Sequence, residues 1–227
     1  MINPIAHTMI RLIFSNRKCL LYFSLSILTW NCTNNSDKLP ILGERDTVKR
    51  LVDGKEVVDT LYQTIPDFKF VNQAGDTVTA GDFKNKIYVA DFFFTTCPTI
   101  CPVMKKQMRK VYEKFQGQND IAILSHTIDP DHDTPAVLKE YAHDLGVEGT
   151  QWMFVTGKRE DIYDIGEKHY LVVAGADSTA PGGYIHSGAF VLIDKEKHIR
   201  GMYNGTDDQA TARLIKDIER LQAEYKK

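Results

Sequence analysis

From Ile65 onward the chain alternates short apolar runs with longer amphipathic stretches. Phe68–Val71 and Thr77–Thr79 flank Asn72-Gln73-Ala74-Gly75-Asp76, which predicts a hairpin over those turn residues. Ile87–Phe94 is apolar and aromatic except for Asp91 and predicts a buried strand, followed by an amphipathic helix near 101–116. Ile121–Ser125 reads as the next strand. Asp133 and Thr134-Pro135 then open a helix through about His143, with Pro135 suited to its first turn. Trp152–Val155 predicts a short strand and Lys158–Lys168 a helix. Ala189–Ile193 and Ile199–Tyr203 predict a hairpin over Asp194-Lys195-Glu196-Lys197, and a charged helix from Asp207 to about Tyr225 closes the chain. Strands alternating with helices and ending on a hairpin plus helix predict an α/β sandwich, thioredoxin-like in order, with a mixed central sheet flanked by helices.

The pattern before Ile65 is different. Arg11, Arg17 and Lys18 precede about a dozen mainly apolar residues, Cys19–Trp30, and no acid occurs before Asp37. This is the layout of an export signal, and the apolar segment is shorter than the ~20 residues a membrane span needs. Cys32 follows it directly and is itself followed by the polar stretch Thr33–Lys38. Residues 1–32 therefore read as an export signal or lipoprotein anchor, with Cys32 as the lipidated residue. An uncleaved anchor and a soluble exported form are the alternatives. All three place the domain outside the cytoplasm, membrane-anchored in the first two, on the periplasmic or extracellular side. Residues 33–60 read as a tether with a short edge hairpin around Val52-Asp53-Gly54-Lys55, and residues 61–227 as the folded domain.

Composition narrows the function classes. Hydrophobic content of 43% and charged content of 26% are ordinary for a globular protein of 227 residues, and the net charge is −2. Removing residues 1–31 would take three of the 28 basic residues and none of the 30 acidic ones, which gives about −5. No basic tract invites nucleic acid.

The chemistry lies in Cys97-Pro98-Thr99-Ile100-Cys101-Pro102. With Cys32 acylated and residues 1–31 removed, Cys97 and Cys101 are the remaining free thiols. They stand at i and i+4 on a predicted strand-to-helix turn, so they lie close together, and the helix N-terminus favours their thiolate forms. Pro98 and Pro102 each suit a helix's opening turn. A pair of thiolates exchanges disulfides or binds soft metals such as Cu(I). In an oxidising compartment a reversible Cys97–Cys101 disulfide is available. Three intervening residues make the loop wider than the two of thioredoxin-type oxidoreductases, so the pair can spread around an ion. Two thiolates leave Cu(I) short of a third ligand, which imidazole supplies well. Of His126, His132, His143, His169, His186 and His198, the one best placed is His186. It follows Pro181-Gly182-Gly183 and precedes the strand Ala189–Ile193, and in a thioredoxin-like sheet that loop lies beside the cysteine turn. His143 and His198 read as solvated surface residues, His132 as an exposed loop residue, and His126 as the cap of a buried strand.

With these residues in view the chain resembles the Sco/SenC family, copper-binding proteins that assist cytochrome c oxidase assembly. The resemblance covers about residues 63–224. It rests on Ile65-Pro66-Asp67-Phe68, the block from Asp91 through Met104, Ile128–Pro135, Trp152–Gly157 and His186–Asp194. It implies that Cys97, Cys101 and His186 are copper ligands, for Cu(I) or Cu(II). It also implies a partner, the copper-binding subunit of cytochrome c oxidase, with a thiol reductant or another copper chaperone as further partners. Many members carry aspartate before the histidine, where this chain has Ile185.

Asp129, Asp131 and Asp133 suggest a cation loop, but an EF-hand needs glycine where Thr134 stands. Turn formation and helix capping by Asp133 is the better expectation. Two functions fit the thiols. One is a copper metallochaperone; the other is an exported thiol-disulfide oxidoreductase, with Cys97 and Cys101 as its redox-active pair, that keeps a partner's cysteines reduced. A peroxiredoxin-like peroxidase fits less well, because Thr95-Thr96-Cys97 lacks the Thr-x-x-Cys spacing.

Overall fold

The computed structural model describes residues 38–226. The expected export segment and Cys32 lie outside the described residues. Among these residues no helix is long and apolar enough to cross a membrane.

The apolar runs form one seven-stranded sheet. β1 (Arg45–Val52) and β2 (Lys55–Tyr62) precede it, and β3 (Lys69–Asn72) and β4 (Thr77–Thr79) make the predicted first hairpin. The central strand β5 (Ile87–Phe93) is buried along its whole length. It is followed by α1 (Cys101–Phe115), β6 (Ile121–Thr127), α2 (Pro135–Asp144), β7 (Trp152–Thr156) and α3 (Arg159–Asp164). The chain then runs through β8 (Ala174–Ala176), β9 (Tyr184–His186), β10 (Ala189–Ile193), β11 (Ile199–Asn204) and α4 (Asp208–Glu224). The sheet order is β11-β10-β5-β6-β7-β3-β4. β5, β6 and β7 run parallel, while β10 against β5 and β3 against β7 are antiparallel. This is the predicted mixed α/β sandwich.

The period-two alternation of β5 and β6 sorts their side chains onto two faces. On one face Phe93 meets Tyr141 of α2 and Phe154 of β7, and Trp152 meets Tyr112 of α1. Asp91, the one charged residue in β5, is buried there, and burial raises its pKa to about 7. It accepts a hydrogen bond from Ser125 Oγ at 2.5 Å, and that oxygen accepts one from Trp152 Nε1 at 2.9 Å, so the polar group is not left unpaired. On the other face Phe92 stacks on His126 at 4.7 Å, with Tyr170 at 5.7 Å. His126 therefore lies within β6 rather than capping it. It is fully buried, and burial drives its pKa down to about 3, so the ring is neutral and packs as an aromatic.

Three local expectations are revised. The helix at 158–168 is α-helical only to Asp164 and widens into a π-helical turn over Ile165–His169. Gly166 occupies that turn, where a Cβ would stand 3.0 Å from the Phe92 ring. The hairpin at Asp53-Gly54 is not a short edge hairpin: its strands are eight residues each and form a separate two-stranded sheet. Positive φ at both turn residues, 51° and 75°, fits the tight turn that suits twisted hairpin strands. The pair β8 and β9, whose short segments show no strand period in the sequence, forms a second small sheet outside the main one.

Candidate metal centre

The parallel centre of the sheet ends where the chemistry begins. β5 stops at Phe93, and four residues later Cys97 lies in the turn that leads into α1. Cys101 is the first residue of α1, and Pro102 occupies its opening turn, where a missing N–H costs no hydrogen bond. Pro98 does not open the helix; it lies in the preceding loop and packs toward Gly182. A Cβ at Gly182 would fall 3.0 Å from the Phe94 ring and 3.1 Å from Pro98 Cδ, and its φ is +83°. Glycine there lets the chain carrying His186 pass close over the cysteine turn.

His186 ends β9, which pairs with β8 in the register Ala174↔His186 and Ala176↔Tyr184. Its Nε2 lies 3.3 Å from Cys101 Sγ and 4.0 Å from Cys97 Sγ. The three donor atoms fall within 4.8 Å of one another, and both cysteines are buried and unbridged. Three residues separated by up to 89 positions thus converge on one point. Among the described residues no fourth His, Cys, Asp or Glu joins this group, which argues against a closed four-ligand zinc site. Two sulfurs and one imidazole nitrogen suit a soft, low-coordinate ion.

The electrostatics of the two thiols differ, which corrects the expectation that the helix N-terminus favours both thiolates. Burial works to raise the Cys97 pKa, but hydrogen bonds with the Cys101 thiol and the Thr99 and Cys101 backbone outweigh it and hold it below the ordinary thiol value. Cys101 is pushed far up, first by burial and then by its hydrogen bond with Cys97. Cys97 therefore ionises before Cys101. Burial lowers the His186 pKa, so its ring is neutral and can act as a ligand.

Residues missed by sequence reasoning surround the donors. Lys105, one turn after Cys101, lies half-buried with its ammonium 3.8 Å from the Tyr141 ring centre. Its i+4 spacing from Cys101 was the signal available in the sequence. Asp133 does not cap α2. Thr134 does so, its side chain accepting from the Val137 N–H, while Asp133 is fully buried and holds the cysteine turn instead. It accepts from the Thr95 N–H at 3.0 Å, Thr95 Oγ1 at 2.5 Å and Thr127 Oγ1 at 2.5 Å. His132 is half-exposed beside it, 2.9 Å from Asp133 Oδ1. Ile185, at the position of the family aspartate, is 46% exposed and pairs with Gly175 on the face opposite His186.

The remaining histidines lie elsewhere. His143 is exposed, and His169 ends the π-helical turn. His198 is not a solvated surface residue; its side chain is only 20% exposed and groups with Asp194 and Glu196. That second group has less to offer a metal. Asp194 already accepts from the Glu196 and His198 N–H groups at 3.0 and 2.8 Å and from Arg200 Nη1 at 2.9 Å.

Comparison with known proteins identifies the family. The family model SCO1/SenC matches residues 58–223. The SCO1 protein homolog of Bacillus subtilis is 30% identical over 172 residues, covering 73% of this chain and 86% of that protein. A SCO1/SenC family lipoprotein from Bacillus anthracis is 30% identical, with a TM-score of 0.65, over 70% of this chain and 95% of that one. BsSco, a member of the Sco family of cytochrome c oxidase assembly proteins in which a disulfide switch was identified, is 28% identical. It superposes with a TM-score of 0.62 over 70% of this chain and 93% of its own. A match that runs from within β2 into the last turn of α4, together with these relatives, establishes that the chain belongs to the SCO1/SenC family.

Proposed function

We propose that this protein is a copper metallochaperone that takes copper on Cys97, Cys101 and His186 and delivers it to the copper-binding subunit of cytochrome c oxidase. The convergence of two thiols and one neutral imidazole within 4.8 Å carries the reading. Family membership supports it, and the role in oxidase assembly stated for BsSco suggests the recipient. Three donors suit cargo better than a resident ion, because a partner's ligand can add before one of these leaves. His186 is the donor on the partly exposed flap, so exchange begins on its side.

Anaerobic titration of the reduced protein with Cu(I), followed by element analysis, tests the proposal. One copper per chain is the expected result. A stoichiometry well below one, or retention of zinc in place of copper, overturns it.

The unequal thiols favour a second reading, a thiol-disulfide oxidoreductase that reduces a partner's cysteines and is recharged by a thiol reductant. The low-pKa Cys97 would attack the partner's disulfide, and Cys101 would resolve the mixed disulfide.

We further propose that the domain is exported and held at a membrane surface through acylated Cys32. The leader pattern supports this, as does the description of the Bacillus anthracis relative as a lipoprotein. Metabolic labelling with a fatty-acid analogue is expected to mark the wild type and not Cys32→Ala. Equal labelling of both overturns the assignment.

A further inference from the structure

The aspartate-rich loop after β6 is too poor in ligand geometry for calcium, yet it touches both sides of the metal centre. None of the three donors lies in the central sheet: Cys101 opens α1, while Cys97 stands on the β5–α1 turn and His186 on the β8–β9 flap. At one end of the loop Asp133 holds Thr95, two residues before Cys97. Near the other end Asp129 Oδ1 accepts a hydrogen bond from Tyr184 Oη at 2.6 Å. Tyr184 is two residues before His186 in β9, so the two side chains share one face of the flap. Both rings pack on Phe94, at 5.1 Å for Tyr184 and 5.9 Å for His186.

The loop is itself fixed. Arg159, the first residue of α3, pairs with Asp131 and donates to Tyr163 Oη at 3.2 Å. Tyr163 Oη donates in turn to the Ile128 carbonyl at 2.9 Å. The flap needs such a tie. Its strands are three residues each, and an isolated two-stranded ribbon is marginally stable even when longer.

We infer that the Tyr184–Asp129 hydrogen bond is a latch that sets the position of His186 against the cysteines, with Tyr184 and Asp129 as positioning residues for metal binding. This rests on the copper reading for its consequence, though not for the latch itself. The loop from Thr127 to Asp133 then acts as a common frame: one aspartate fixes the turn bearing Cys97 and another fixes the flap bearing His186. The thiol-to-imidazole distance is set by this frame rather than by the sheet.

The test uses Tyr184→Phe in the full chain, which removes one hydroxyl and keeps the ring on Phe94, with Asp129→Ala as the second variant. In the metal-free protein, amide hydrogen exchange across 174–187 is expected to quicken on the order of tenfold, as loss of a hydrogen bond to a carboxylate allows. Exchange in β5 and β6 should not change. Cu(I) affinity is expected to fall by a similar factor in either variant, and the double variant should fall no further, because both remove the same bond. In a His186→Ala background Tyr184→Phe should leave copper affinity unchanged, since a latch for an absent ligand has nothing to position. Unchanged flap exchange in Tyr184→Phe overturns the latch, as does an affinity loss equally large with and without His186. If wild type and His186→Ala bind copper equally, the ligand assignment has failed, and the exchange measurement on the metal-free protein still decides the latch.

Discussion

Oxidising Cys97 and Cys101 to a disulfide is expected to abolish Cu(I) uptake, and reduction is expected to restore it. The two thiols give up two electrons and two protons to an oxidising disulfide, and the new S–S bond leaves neutral sulfurs without the thiolate charge that would face the metal. Two of three donors vanish at once, so the loss should be essentially complete rather than graded. Both cysteines are buried and unbridged, with His186 3.3 Å from Cys101, so the thiol form brings the three side chains together. Uptake by reduced, oxidised and re-reduced samples of one preparation, with free thiols counted in each, checks the expectation. Equal Cu(I) binding by the fully oxidised protein would show that the ligands have been misassigned.

His186→Ala is expected to weaken copper binding by at least 10–100-fold. That range applies to loss of groups that merely support a ligand, so loss of a direct ligand should cost no less. The rate at which Cys97 and Cys101 reduce a small disulfide should change much less, because the thiol pair remains. Measured together on one preparation, with circular dichroism to confirm folding, the two activities separate chaperone from oxidoreductase. The pH dependence adds a second check. Burial depresses the His186 pKa below its ordinary value of about 6.5, so protons compete for Nε2 only below the usual histidine range. Wild-type affinity should therefore lose its histidine contribution only at that lower pH, and the variant should lack that step. Unchanged affinity in a folded His186→Ala protein favours the oxidoreductase reading.

Much of the fold was legible in the sequence because the determining signals are local. The apolar run at 87–94, interrupted only by Asp91, specifies a strand buried on both faces, and Pro135 marks the first turn of α2 through its fixed φ. Asp53-Gly54 marks its turn without context, but nothing local specified that the hairpin would stand apart from the main sheet. The cysteine pair was legible for the same reason: two thiols four positions apart, between a strand and a helix, must lie close together whatever surrounds them.

What sequence periodicity did not specify depends on neighbours distant in the chain. Asp133 reads as a helix cap from its position before Thr134-Pro135, yet Thr95 and Thr127 claim both of its oxygens, and Thr134 takes the cap. His126 reads as a strand end, but Phe92 stacks on it, and burial keeps the ring neutral inside the sheet. The flap strands β8 and β9 are three residues each, too short to produce a period, and are held by contacts to Phe94 and Asp129. The sequence by itself determined the sandwich and which side chains could bind a soft metal, because hydrophobic period and ligand chemistry belong to the residues. Only the tertiary structure decided the spacing of Cys97, Cys101 and His186 and the inequality of the two thiols, because distance and burial arise where separate segments meet.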